Sequence, residues 1–121
     1  MSLHLASVTE LGRGLRAKRY SSVEVAQHFL ARIGRANPGL NAFVTVTAER
    51  ALEDARRADA RIARDEGGPL TGVPLAHKDI FCTAGILTSC GSRMLANFVA
   101  PYDATVVERL AAAGMVLLGI S

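Results

Sequence analysis

The sequence predicts an α/β fold, in which helices pack against a sheet that these residues do not complete. Residues 1–66 carry apolar side chains at helical spacing, whereas residues 67–101 are rich in Gly, Pro, Thr, Ser and short apolar runs. Residues 103–118 then predict a helix followed by a buried strand. Because a buried strand needs neighbours on both sides, we expect the sheet to need further strands and this stretch to be a fragment.

The first two helices are predicted from their N-caps. Ser7 and Glu10 have the spacing of a capping box, in which side chain and backbone at a helix start bond each other reciprocally. Ser21 and Glu24 repeat that spacing ahead of a longer apolar stripe. We expect the second helix to end at residues 37–39, Asn-Pro-Gly, because proline and glycine are poor helix formers.

A third helix is predicted from about Thr47 to Glu66, and most of its surface is charged. We expect the charged side chains to face solvent. The opposite side carries a narrow stripe of small apolar residues, which suits close packing on a neighbouring element. The stripe comprises Ala51, Ala55, Ala58 and Ile62.

The last helix and strand are predicted from residues typical of helix ends and from a hydrophobic run. Asp103 stands where an N-cap side chain is expected, and Gly114 stands where a glycine commonly follows a helix. Residues 115–118, Met-Val-Leu-Leu, form a short unbroken apolar run and predict a buried strand. We expect Gly85 and Gly91 to serve turns with unusual backbone angles.

The composition narrows the class of protein. With 121 residues, 50% hydrophobic and 21% charged, the chain is globular, and its charge of +3 is spread along the helices, which gives little support for nucleic-acid binding. No window approaches the roughly 18 apolar residues of a membrane span. The N-terminus has neither the basic start nor the apolar core of a signal peptide, so we expect a cytosolic protein. Cys82 and Cys90 are expected to be free thiols, and no metal-ligand pattern is found.

Lys78 is the candidate catalytic residue, because it lies in an apolar, Pro-containing run at residues 72–81. Enclosure there would disfavour the ammonium form, and a neutral amine can take a proton from a hydroxyl. The alternative is that the side chain extends its ammonium to water and does no chemistry. In an extended segment Lys78 shares a face with Ala76, whereas Asp79 shares the other with His77. We therefore expect no direct Lys78–Asp79 pair, and a packed or surface histidine at position 77.

Residues 72–79, Gly-Val-Pro-Leu-Ala-His-Lys-Asp, resemble the lysine motif of the amidase signature family. This resemblance implies a fold of helices packed on a mixed sheet, with residues 1–121 forming the N-terminal portion of a single amidase domain. That portion would consist of three parts: a helical part at residues 1–66, a strand-and-loop segment with the lysine motif at 67–101, and a helix and strand at 103–118. The likeness continues through Thr83-Ala84-Gly85, Thr88-Ser89-Cys90-Gly91-Ser92, Leu95, Asp103-Ala104-Thr105-Val106-Val107, Leu110 and Ala113-Gly114, and includes Ser22-Val23-Glu24-Val25 and Leu40-Asn41-Ala42-Phe43.

The resemblance implies a serine amidase mechanism in which Lys78 is the general base. In the family, a nucleophilic serine is activated through a bridging serine with a cis peptide bond, and the neutral lysine accepts the relayed proton. A glycine- and serine-rich loop supplies the backbone N–H groups that hold the oxyanion. Nothing in these residues matches that loop: Ser89 and Ser92 belong to the lysine segment, and Ser121 lacks a Gly-Ser context. The sequence leaves the family pattern at Ile120, and we expect residues 1–121 alone to be inactive.

Within the family, residues 97–105 most resemble the A subunits of glutamyl-tRNA(Gln)/aspartyl-tRNA(Asn) amidotransferases. Such a protein hydrolyses glutamine and sends ammonia to a partner, which amidates mischarged tRNA. The resemblance implies B and C subunits as partners, tRNA contact through the partner, no cofactor in this chain, and ATP and Mg²⁺ at the partner subunit. Two alternatives stay open: an amidase of the same family acting on other small amides, and a non-catalytic binding or assembly module.

Overall fold

A mixed three-stranded sheet has the last strand of the chain in its centre. In the computed structural model, which describes residues 3–95 and 97–121, β1 is Thr45–Val46, β2 is Pro74–His77 and β3 is Val116–Ile120. β3 pairs antiparallel with β1 and parallel with β2. The predicted α/β class is therefore confirmed, although β1 lies within the segment predicted as helical and is too short to give a period-2 pattern.

Helices precede and follow the strands. No helix in residues 3–95 or 97–121 combines the length and apolar character needed to cross a bilayer. The helical elements are a 3₁₀ turn at Leu3–Leu5, α1 at Val8–Arg16, α2 at Ser22–Leu40, α3 at Ala48–Ala63 and α4 at Thr105–Ala112.

The N-caps of α1 and α2 are where the sequence predicts them. The Ser7 hydroxyl accepts from the Glu10 backbone N–H at 3.1 Å, and the Glu10 carboxylate accepts from the Ser7 backbone N–H at 3.4 Å. At α2, Ser21 accepts from the Glu24 backbone N–H at 3.1 Å. Both helices therefore begin with a satisfied N–H group, as their sequences require.

The predicted end of α2 at residues 37–39 is wrong, because the helix continues through Pro38 to Leu40. A proline in the final turn removes only one N–H donor, which a helix end tolerates better than a helix centre does. Asn41 ends the helix in the left-handed region, with φ of 51°, and its N–H donates to the Asn37 carbonyl at 2.6 Å. The Asn37 side-chain oxygen then accepts from the backbone N–H of Phe43 at 2.8 Å.

The small-residue stripe of α3 packs against α2 and the sheet, as predicted. Ala51 and Ala55 are fully buried beside Val116 and Leu118 of β3. Because alanine side chains are small, α3 can approach the strand closely, and the side chains fill this half of the core without large gaps. A second cluster joins the 3₁₀ turn, α1, α2, the end of α3 and the residue before β2. It comprises Leu3, Leu11, Leu15, Val25, Ile62 and Val73.

The start of α4 differs from the prediction. Ala104 is the N-cap residue and makes no side-chain cap, while the Asp103 carboxylate accepts from the Ala84 backbone N–H at 2.7 Å. Asp103 lies one position too early to cap the helix, so its oxygen bonds the neighbouring loop. Gly114 does follow the helix in the left-handed region, with φ of +88°, and Gly85 and Gly91 also have positive φ. The buried strand begins at Val116, and all five of its residues are buried.

Candidate active site

Lys78 directly follows β2 at the edge of the sheet where the parallel strands β2 and β3 both end. Active sites of open α/β sheets form outside such carboxyl ends. The main chain around Lys78 is held by Ser121, whose N–H donates to the His77 carbonyl at 2.8 Å and whose carbonyl accepts from the Asp79 N–H at 2.9 Å. The lysine therefore extends from a backbone that is bonded on both sides.

The predicted alternation of faces is confirmed. Ala76 and Lys78 are exposed, whereas His77 and Asp79 are buried. The expectation that Lys78 is enclosed by its apolar neighbours is wrong in this structure. Ile80 and Phe81, which suggest enclosure in the sequence, are themselves exposed, and within residues 3–95 and 97–121 the Lys78 ammonium forms no ion pair. An apolar sequence does not bury a lysine unless another element covers its face.

Asp79 has a fixed role on the buried face. Its Oδ1 accepts from the Ser89 backbone N–H at 2.8 Å, and its Oδ2 accepts from the Ser89 hydroxyl. Burial acts to raise the pKa of Asp79, but the Ser89 hydroxyl and the backbone N–H groups of Ser89, Gly91 and Cys90 stabilise the carboxylate and hold its pKa below the ordinary value. Asp79 is thus a structural carboxylate, and its partner is Ser89 and not Lys78.

His77 is a packed residue on the face away from Lys78, as predicted. Burial is the main cause that lowers its pKa, and the nearby Arg50 lowers the pKa further, while Asp103 opposes both. A histidine of this kind is neutral at neutral pH. Because it faces the opposite side of the strand, it is not placed to exchange protons with the lysine.

Ser92 and Cys82, which follow Lys78 in the sequence, have local partners. The Ser92 hydroxyl accepts from the Met94 backbone N–H at 3.2 Å, which closes a turn. Both cysteines are free, as predicted, and the Cys82 thiol lies 3.6 Å from the Tyr102 hydroxyl. The arrangement therefore offers an exposed amine on a fixed strand end, to which a nucleophile can be brought.

The Asp79–Ser89 contact is absent from the sequence-based predictions, which state only that Asp79 shares a face with His77 and does not pair directly with Lys78. The alternation of faces nevertheless places this carboxylate inside. A buried carboxylate needs hydrogen-bond donors, and the nearby Thr-Ser-Cys-Gly-Ser segment at residues 88–92 contains suitable ones. The requirement for donors is the signal in the sequence that could have found this contact.

Sequence comparison relates the chain to amidases. The family model described as Amidase matches residues 24–121. The A subunit of the glutamyl-tRNA(Gln) amidotransferase of Azotobacter vinelandii is 61% identical over 117 residues, which are 97% of this chain and 24% of that protein. The protein of the same name from Methylococcus capsulatus is 59% identical over the same shares. The chain thus spans about a quarter of the length of the curated relatives it matches.

Solved structures share the fold. The peptide amidase from Stenotrophomonas maltophilia matches 98% of the chain with a TM-score of 0.89 at 34% identity. A bacterial aryl acylamidase of the Amidase signature family matches 99% with a TM-score of 0.91 at 28% identity. The chain covers 25% and 26% of these two proteins. The mixed sheet and its helices therefore recur within much longer chains.

Proposed function

The chain belongs to the amidase family, and from that premise we propose that it is the part of a glutamine-hydrolysing amidotransferase subunit that carries the general base. Lys78 is that base. The observation that carries the proposal is the placement of Lys78, an exposed amine at the carboxyl end of a parallel strand, with the main chain bonded on either side of it. Identity of 61% to the A subunit of a glutamyl-tRNA(Gln) amidotransferase supports the choice of reaction within the family.

The proposed reaction releases ammonia from glutamine. A serine hydroxyl attacks the side-chain amide carbon, and its proton passes through a bridging serine to the neutral amine of Lys78. The proton then goes to the leaving nitrogen, which departs as ammonia, and water hydrolyses the acyl-enzyme to glutamate. Both serines belong to the larger part of the domain, which these 121 residues do not span. That part would cover the face of Lys78 and remove water from the amine, which favours its neutral form.

We further propose the setting in which the ammonia is used. The B and C subunits complete the enzyme, and ATP and Mg²⁺ act at the partner subunit that amidates Glu-tRNA(Gln) or Asp-tRNA(Asn). This chain needs no cofactor, because its part of the reaction is proton transfer. Amidated tRNA is consumed in protein synthesis, so we propose the cytoplasm as the location.

A comparison of substrates tests the proposal. The full-length protein, purified with its partner subunits, should release ammonia from glutamine faster than from acetamide, benzamide or a peptide amide. Faster turnover of the simple amides would contradict it and favour an amidase without tRNA. The 121-residue chain is the matched control: it contains Lys78 but not the two serines, and we expect no turnover from it.

A further inference from the structure

Asp79 is the buried charged group next to Lys78 that the proposed reaction does not use. Its side chain is 5% exposed, and within the described part of the chain it has no cationic partner. Hydrogen-bond donors alone hold the carboxylate: the Ser89 backbone N–H at 2.8 Å and the Ser89 hydroxyl. A buried carboxylate without a cationic partner is costly unless several donors bond it, so the contact between Asp79 and Ser89 is a specific interaction.

The Ser89 side of the contact is a tight turn with anchors of its own. The Ser92 N–H donates to the Ser89 carbonyl at 2.9 Å, and Cys90 and Gly91 both have positive φ, 53° and 71°. At its start, the Thr88 N–H donates to the Phe98 carbonyl at 2.9 Å. The turn is therefore a defined structure, and Asp79 bonds it to the end of β2.

Asp79 also participates through its main chain. Its N–H donates to the Ser121 carbonyl at 2.9 Å, on the far side of Lys78 from the bond between Ser121 and His77. The Lys78 carbonyl in turn accepts from the Phe81 N–H at 3.1 Å. Asp79 is therefore fixed in two places: its main chain is bonded to Ser121, and its carboxylate is bonded to the turn.

We propose that Asp79 is a positioning residue for Lys78, whose carboxylate bonds the Ser89–Gly91 turn to the end of β2 and thereby sets the direction in which the lysine leaves the strand. This inference rests on the proposed function. Lys78 is exposed and Asp79 is buried, so the two side chains leave the main chain on opposite faces, and anchoring Asp79 on the buried face directs Lys78 to the other. A general base must lie within hydrogen-bond reach of its proton, and a displacement of about 1 Å can lower a rate on the order of 100-fold.

The test is Asp79→Asn in the full-length amidase, with glutamine as substrate. Asparagine keeps the volume but removes the charge and replaces one acceptor oxygen by an NH₂ group, so one of the hydrogen bonds that Asp79 accepts is lost. We expect kcat to fall on the order of 100-fold with KM unchanged, because substrate binding does not involve the lysine's alignment. Asp59→Asn is the matched control: Asp59 also accepts from two backbone N–H groups, those of Ser22 and Val23, but lies on α3, and kcat should be retained.

Ser89→Ala decides the matter if Asp79→Asn does not fold. It deletes the hydroxyl bond and leaves the backbone bond, so kcat should fall about tenfold, again at constant KM. The deciding variant is Asp79→Asn, or Ser89→Ala if Asp79→Asn does not fold. Wild-type kcat in that variant, or a change in KM in place of the fall in kcat, overturns the positioning role. Lys78→Ala separates the two hypotheses. If that variant keeps activity, the proposed function fails; if it is inactive while the deciding variant has wild-type kcat, only the role of Asp79 fails.

Discussion

Asp59 accepts a hydrogen bond from the backbone N–H of Ser22 at 2.7 Å, so that a residue of α3 completes the first turn of α2. Its second oxygen accepts from the Val23 N–H at 3.2 Å. The Ser21 cap serves only the third N–H of that turn, through Glu24. Two neighbouring helices are thus joined by one carboxylate, which also places a negative charge at the positive end of the α2 dipole.

Removing that carboxylate should destabilise the protein. We expect Asp59→Ala to lower the free energy of unfolding by about 1–2 kcal/mol, because two N–H groups at a helix start lose their acceptor. Urea unfolding curves measure the change. Glu53→Ala, an exposed position on the same helix, is the control and should stay within about 0.5 kcal/mol of wild type. Equal effects of the two substitutions would contradict the bridging role of Asp59.

Gly114 should not tolerate a side chain. Its φ is +88°, and an added Cβ would lie 2.7 Å from Arg61 Nη1 and 3.1 Å from Thr71 Oγ1. We expect Gly114→Ala to lower the unfolding free energy by more than about 1 kcal/mol. Gly34→Ala is the opposite case, since nothing lies within 4 Å of its Cβ in the middle of α2, and it should stabilise by about 0.5–1 kcal/mol. A stabilising Gly114→Ala would refute the assigned backbone conformation.

The alanine stripe of α3 should be sensitive to size on one face only. Ala55 is fully buried between α3 and its neighbours, whereas Ala60 is exposed on the same helix. We expect Ala55→Leu to cost about 1–3 kcal/mol of stability through overpacking. Ala60→Leu should change stability by less than about 0.5 kcal/mol, because leucine is nearly as good a helix former as alanine. Thermal and urea unfolding of both variants compare the two faces directly.

Stability should fall on acidification because of His77. Its pKa is lowered in the folded state, mainly by burial, from an unfolded value of 6.5. The unfolded chain therefore binds the proton more readily, so the contribution of His77 is complete above about pH 6.5 and decreases as the pH falls below it. We expect the urea midpoint to drop between about pH 7 and pH 5, and His77→Gln to reduce that drop. An unchanged pH dependence in His77→Gln would count against the burial of His77.

Local signals in the sequence predicted a large part of this fold. Ser7 and Glu10 define a helix start within four residues. The alanine stripe and the apolar run at 115–118 predict burial because their side chains are apolar. The predicted end of α2 was wrong although its contacts are local, because the last turn accommodates Pro38. The helix caps were mispredicted or missed where the bonding partner is far along the chain: the Asp103 carboxylate bonds Ala84 and does not cap α4. Asp59 caps a helix 37 positions away, and no local pattern indicates such a bond.

The site, like the fold, could be predicted only in part from the sequence. Strand geometry predicts the alternation of Ala76, His77, Lys78 and Asp79. The structure confirms that their exposure alternates, although β2 ends at His77 and Asp79 lies in a turn. Whether Lys78 is enclosed depends on what covers its face, which the residues of its motif do not encode. The contact between Asp79 and Ser89 required knowing that the 88–92 segment turns back on the end of β2.

The role of Lys78 is tested most directly by the rate of glutamine hydrolysis in full-length Lys78→Ala. Because the side chain is exposed here, the substitution should leave this part of the fold intact, as circular dichroism can verify. Arg93→Ala, which removes another exposed cation nearby in the sequence, is the matched control and should retain activity. We predict that Lys78→Ala lowers kcat by about 10²- to 10⁴-fold, as expected for loss of a general base. Turnover equal to that of wild type in the folded variant would contradict the account.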